Sequence, residues 1–201
     1  MTPIVQRRFA MAAAIGPVFS ILLASLGTSI ANVALPEMAA GLSAPFATVQ
    51  WVVIGYLLSL TVLSAAAGRL GDRIGHGRAL RLGMVAFTFG AGAAAVAPQV
   101  GWLIAARMVQ GAGAAAMIVL PMALLRETAE PARLGRAMGL LGTASAVGTA
   151  LGPALGGVLI AGFGWRAVFW VMLALGGLGL ATVRGAGTRP KAQAAMDLRP
   201  A

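Results

Sequence analysis

Six stretches of this chain are too long and too apolar to suit a fold in water. They are Met11–Leu35, Ala47–Leu70, Ala79–Val96, Val100–Leu125, Ala137–Ala161 and Val168–Val183. A helix needs about 20 mostly apolar residues to cross a hydrocarbon core roughly 30 Å thick. None of the six alternates polar and apolar residues with period two, so the pattern predicts helices rather than barrel strands. Composition agrees: 59% of the residues are hydrophobic and 10% are charged, against about a quarter charged in soluble domains. The expectation is an all-α membrane protein with six transmembrane helices, organised as a tail 1–10, a bundle 11–183 and a tail 184–201. Arg7 and Arg8 precede the first stretch, as they would in a secretory leader. Its apolar run extends far beyond a leader's core and five more follow, so it reads as a retained helix.

The formal net charge of +10 does not describe a nucleic-acid-binding face, because the basic residues sit in short segments between apolar runs. In an alternating topology, Arg7 and Arg8, then Arg69, Arg73, Arg78 and Arg81, then Arg126, Arg133 and Arg136, then Arg184, Arg189, Lys191 and Arg199 fall on one side. The opposite connections, 36–45, 98–100 and 162–166, offer only Arg166. By the positive-inside rule both termini are cytoplasmic, in a multi-pass protein of the plasma (inner) membrane.

There is no cysteine, and His76 is the one histidine. Thiolate metal sites and Cys nucleophiles are excluded, no metal or cofactor is expected, and with no acid inside a span the chain does not read as an enzyme. Gly90-Ala-Gly92 and Gly111-Ala-Gly113 spell part of a dinucleotide fingerprint, but neither follows a strand. The 28 glycines lie mostly within spans, where they let helix backbones approach closely.

Two groups of residues stand out chemically. Arg107, about 10 Å inside the fourth span at 1.5 Å per residue, shares a helix face with Gln110 and Gly111. A charge at that depth is costly and should meet a cavity or a polar partner, unless it snorkels to the surface. In the first span Ser25, Thr28, Ser29 and Asn32 form one polar stripe. Arg107 is expected to hydrogen-bond this stripe and form part of a substrate cavity; polar contact between helices explains the stripe equally well.

Several motifs resemble the major facilitator superfamily. The loop Gly68-Arg-Leu-Gly-Asp72-Arg73-Ile-Gly75-His-Gly-Arg78 resembles its signature G-x-L-[AG]-D-R-x-G-R-[RK], with His76 and Gly77 where basic residues are usual. Arg107-Met-Val-Gln110-Gly111-Ala-Gly113 is similar to R-x-x-Q-G-x-G. Gly148-Thr-Ala-Leu-Gly152-Pro153-Ala-Leu-Gly156-Gly157 resembles the antiporter motif G-x-x-x-G-P-x-x-G-G. Leu26-Gly-Thr-Ser-Ile-Ala-Asn-Val-Ala-Leu-Pro36, Gln50-Trp51 through Tyr56, and Gly164-Trp165-Arg166-Ala-Val-Phe169 resemble the fourteen-span drug:proton antiporter branch. That branch usually carries an acid where this chain has Gly27. The acids here, Glu37, Asp72, Glu127, Glu130 and Asp197, lie at span ends or in loops. Proton coupling must then use Glu37, lie in a partner half, or be absent.

The resemblance implies half of a family fold, a 3+3 inverted repeat whose second six-helix half is missing or on a separate chain. It implies export of small amphipathic compounds or drugs, with protons as coupling ion and the lipid bilayer as the medium. The loop acid Asp72 would act in gating, and Arg107, Gln110, Gly111, Thr28, Ser29, Asn32 and Tyr56 would belong to the cavity or its coupling. A non-transporting remnant or scaffold is the alternative.

Overall fold

The computed structural model describes residues 3–128 and 131–183. Among them are seven helical segments and no strand: α1 (Pro3–Gly41), α2 (Phe46–Val49), α3 (Trp51–Ile74), α4 (His76–Ala95), α5 (Val100–Thr128), α6 (Pro131–Phe163) and α7 (Arg166–Val183). The one-turn α2 leads directly into α3, so the segments coincide with the six expected spans. The expected tail 184–201 lies outside the described residues.

Among the described residues, four stretches are long and apolar enough to cross a membrane: Ile15–Gly41, Phe46–Ile74, Val100–Glu127 and Leu134–Phe163. The other two helices are shorter. α4 has 20 residues and opens on His76, Arg78 and Arg81, which lower its hydropathy, and α7 has 18.

Two boundaries depart from expectation. α1 begins at Pro3, within the expected tail, and continues through Pro36 to Gly41, where the sequence pattern placed a connection. A proline removes one backbone bond, but neighbouring helices can hold such a helix together.

The ends of α3 and α6 fall where a glycine is needed. Gly75 has φ +93° and is the whole connection between α3 and α4; Gly164, φ +78°, turns α6 toward α7. Side chains rarely adopt that region, so these turns favour glycine.

α1 and α5 form the centre. α1 packs chiefly on α6 and α5 chiefly on α3 and α4, while α7 packs on α4 and α1. The leading helix of each three-helix set thus packs on the middle helix of the other, the exchange an inverted repeat produces. The core between them holds Leu23, Leu26, Ile30, Tyr56, Phe87 and Phe169, all fully buried or nearly so. The outward faces of α3 (Leu57, Leu58, Val62) and α6 (Val147, Leu151, Val158) are apolar and exposed.

Candidate functional site

Among the described residues the largest fully buried side chain is a charged one, Arg107. Its position on α5 points it into the centre of the bundle, where four helices meet its guanidinium. Nε donates to the Val52 carbonyl of α3 at 3.2 Å, Nη1 to Gln110 Oε1 at 2.7 Å, and Nη2 to the Gly27 carbonyl of α1 at 3.0 Å. The plane also lies over the Tyr56 ring at 4.0 Å, with the Phe169 ring of α7 at 5.9 Å. Tyr56 in turn donates its hydroxyl to the Ala24 carbonyl, 2.9 Å away, and Gln110 Nε2 reaches Met172 Sδ at 3.2 Å. Among the described residues no carboxylate takes part. The charge is held by carbonyl dipoles, an amide oxygen and π faces, which suits a guanidinium better than an ammonium.

Arg107, Gln110 and Tyr56 are therefore brought together as side chains. Gly111 lets α3 and α5 touch, since a methyl group there would run into the Tyr56 carbonyl. The polar stripe of α1 is not part of this cluster, and the expected bonds from Arg107 to it are not formed. A helix turns about 100° per residue, so Gly27 lies nearly opposite the line of Ser25 and Ser29. That line faces α6. Ser25 and Ser145 hydroxyls are 2.9 Å apart, and Ser29 sits against Gly152. Thr28 bonds back to the Ser25 carbonyl at 2.6 Å, and the exposed Asn32 donates to the carbonyls of Thr28 and Ser29 at 3.0 and 3.3 Å. For Ser25 and Ser29, contact between helices is the role the geometry gives.

Position 27, where the resemblance leads one to expect an acid, is tightly enclosed. A Cβ there would lie 3.0 Å from the Tyr56 hydroxyl and 3.2 Å from the Phe87 ring. Glu37 lies farther along α1, and its Oε2 is buried with no hydrogen-bond partner among the described residues.

At the basic end, the charge loop is organised by the residue that departs from the motif. His76 is largely buried; its Nε2 is 3.4 Å from Asp72 Oδ1 and its Nδ1 3.0 Å from Glu127 Oε1 at the end of α5. Both contacts can be hydrogen bonds at once only when the ring carries both protons. His76 stands where the motif has a basic residue, and its imidazole links the α3–α4 turn to α5. The i, i+4 spacing of Asp72 and His76 was a legible signal, whereas Glu127 was not. Arg73 and Arg78 are exposed, Gly68 is in ordinary contact with Val119, and Gly75 supplies the turn.

On α6, Gly148, Gly152 and Gly156 all face α1, against Leu22, Ser29 and Ile30. Gly157 meets nothing within 4 Å and Pro153 is exposed, so neither belongs to that contact. Trp165 is buried against Gly41 and edge-on to Phe169 at 6.1 Å. Arg166 stacks on it at 4.3 Å and donates to the Ala97 carbonyl at 3.0 Å.

The chain belongs to the Major Facilitator Superfamily, whose sequence model matches residues 18–197. It is similar to the tetracenomycin C resistance and export protein of Streptomyces glaucescens, 35% identical over 78% of this chain and 29% of the relative. It is also similar to a multidrug resistance protein B homolog of Mycobacterium tuberculosis, 36% identical over 79% of this chain and 29% of the relative. The multidrug resistance protein Stp of the same organism is 38% identical over 80% and 29%. The chain thus spans about three tenths of the length of these relatives. In fold it matches a human organic anion transporter with a TM-score of 0.66 at 17% identity, over 91% of this chain and 47% of that one. Members of the family are integral multi-pass membrane proteins.

Proposed function

We propose that the chain forms one six-helix half of an exporter of small amphipathic compounds, including drugs, driven by proton antiport across the plasma membrane. The observation that carries this is similarity, over about four fifths of the chain, to proteins named for drug resistance and export. The second half completes the cavity and covers the exposed apolar face of α6 and the Leu57–Leu58 part of α3. Both termini are cytoplasmic, as the one-sided distribution of arginines supports.

In this reading Arg107, Gln110, Gly111 and Tyr56 are a rigid cationic centre behind the cavity wall, and Thr28 and Asn32 add polar groups from α1, while Ser29 holds that helix to α6. The loop of Gly68, Asp72, Arg73, Gly75 and Arg78 gates the cytoplasmic end; Gly148, Gly152 and Gly156 form the face along which α6 moves against α1, and Pro153 and Gly157 lie on α6 outside that contact. Glu37, with its buried unpartnered oxygen, is the proton carrier of this half.

The test is dye accumulation in a pump-deficient bacterial strain making the full protein that contains this chain. Retention of a fluorescent amphipathic cation should fall, and a protonophore should restore it. Unchanged retention with the protein present in the membrane would sink the export reading. Glu37→Gln should abolish uphill export while sparing downhill exchange; uphill export that persists would move the proton carrier to the other half.

A further inference from the structure

Away from the Arg107 cluster, two hollows on the outside of the bundle share a wall. One, about 320 Å³, lies at the basic end and is lined by Ala66, Arg69, Leu70 and Arg73 of α3. The other, about 250 Å³, lies between α3, α4 and α5; its walls include Leu63, Leu82 and Ala86, with Ala112 and Ala116 also lining it. Ala66 and Leu70 line both. The result is a continuous groove that begins between two guanidinium groups and continues over purely alkyl surface.

Its origin is structural. α3 and α4 diverge from the single-residue turn at Gly75, and each packs more closely on α5 than on the other. Gly83 of α4 draws in so close to Ala116 that α5 forms the back of the cleft. Arg69 and Arg73, four residues apart, share a helix face. Both are exposed, and neither has a hydrogen-bond or ion-pair partner among the described residues. The adjacent Asp72 is paired with His76 instead.

We propose that this groove is a seat for one anionic phospholipid of the leaflet at the basic end. Its phosphate lies between Arg69 and Arg73, and one acyl chain runs along Leu63, Ala66, Leu70 and Leu82. A guanidinium matches phosphate oxygens with paired N–H donors. Basic residues at a membrane surface favour anionic over zwitterionic lipid, whose own ammonium offsets the attraction. A free phosphate would satisfy the arginines but leave the alkyl length of the groove without a role, which is why the occupant is a lipid. Under the orientation proposed above the leaflet is the cytoplasmic one; the seat itself does not depend on that.

The full protein, in mild detergent, is titrated with phosphatidylglycerol or phosphatidylcholine, and the lipid it retains is counted by native mass spectrometry. Inorganic phosphate is added as a competitor in a separate series. Phosphatidylglycerol should be retained roughly tenfold better than phosphatidylcholine, and Arg69→Gln with Arg73→Gln should erase the difference. Arg69→Lys with Arg73→Lys should preserve most of it, and Ala66→Phe should block the groove and lower retention with both arginines in place. Equal retention of the two lipids, or a double Gln variant that holds phosphatidylglycerol like the parent, overturns the proposal. Displacement by millimolar phosphate, with Ala66→Phe inert, would make it an ion site and overturn it as well. Transport is not read, so loss of the export reading and loss of this one are separate outcomes.

Discussion

Arg107 tolerates complete burial because each edge of its guanidinium meets an acceptor and one face meets a ring. Those acceptors belong to three helices, so the side chain acts as a pin through the bundle. Arg107→Ala removes three charge-assisted hydrogen bonds and leaves a void beside Tyr56. A loss of about 2–4 kcal/mol follows from such bonds and from large-to-small core changes. Arg107→Lys keeps the charge but cannot reach Val52, Gln110 and Gly27 together, and should cost about 2 kcal/mol. Denaturant-induced unfolding in mixed micelles, followed by the fluorescence of the 4 tryptophans, would measure both. A Lys variant as stable as the parent would show that charge alone, not the fork, matters there.

Between elements, small residues decide the distances. α6 meets α1 through Gly148, Gly152 and Gly156, and α5 meets α3 and α4 through Gly111 and Gly113. A methyl group at Gly111 or Gly148 would strike backbone oxygen, of Tyr56 or Leu22 respectively, which cannot rotate away. Gly111→Ala and Gly148→Ala should each destabilise by about 1–3 kcal/mol, as overpacking does. Gly157→Ala, with open space around it, should be neutral or gain up to about 1 kcal/mol from helix propensity. The same unfolding assay separates them; equal effects at all three positions would mean that propensity, not contact, governs these glycines. The three-residue face was legible in the G-x-x-x-G spacing. That Gly157 stands outside it was not, because its neighbour Gly156 already takes the contact with α1.

For the whole molecule, the asymmetry of charge between the two ends is the main determinant of how it sits in a bilayer. The chain lacks cysteine, so single-cysteine variants report position cleanly. In intact cells a membrane-impermeant maleimide should label a Gln99→Cys variant, in the exposed α4–α5 connection, and leave an Ala132→Cys variant at the start of α6 unlabelled. The reverse pattern would overturn the orientation.

The places of the six membrane helices were determined by the sequence alone, because apolar length measured against a bilayer is a local property. So was the shared face of Arg107 and Gln110, which helical spacing dictates. Pro36 misled because a local breaker can be overruled inside a bundle, where α1 continues to Gly41. What Arg107 meets was decided only by the tertiary structure. Periodicity shows which residues of α1 lie together, but not how that helix is rotated toward its neighbours. Packing turned the Ser25–Ser29 line to α6 and offered the Gly27 carbonyl, a group every residue carries and no side-chain pattern reveals. The same holds for His76 and Glu127, far apart in the chain and joined only because α4 begins where α5 ends.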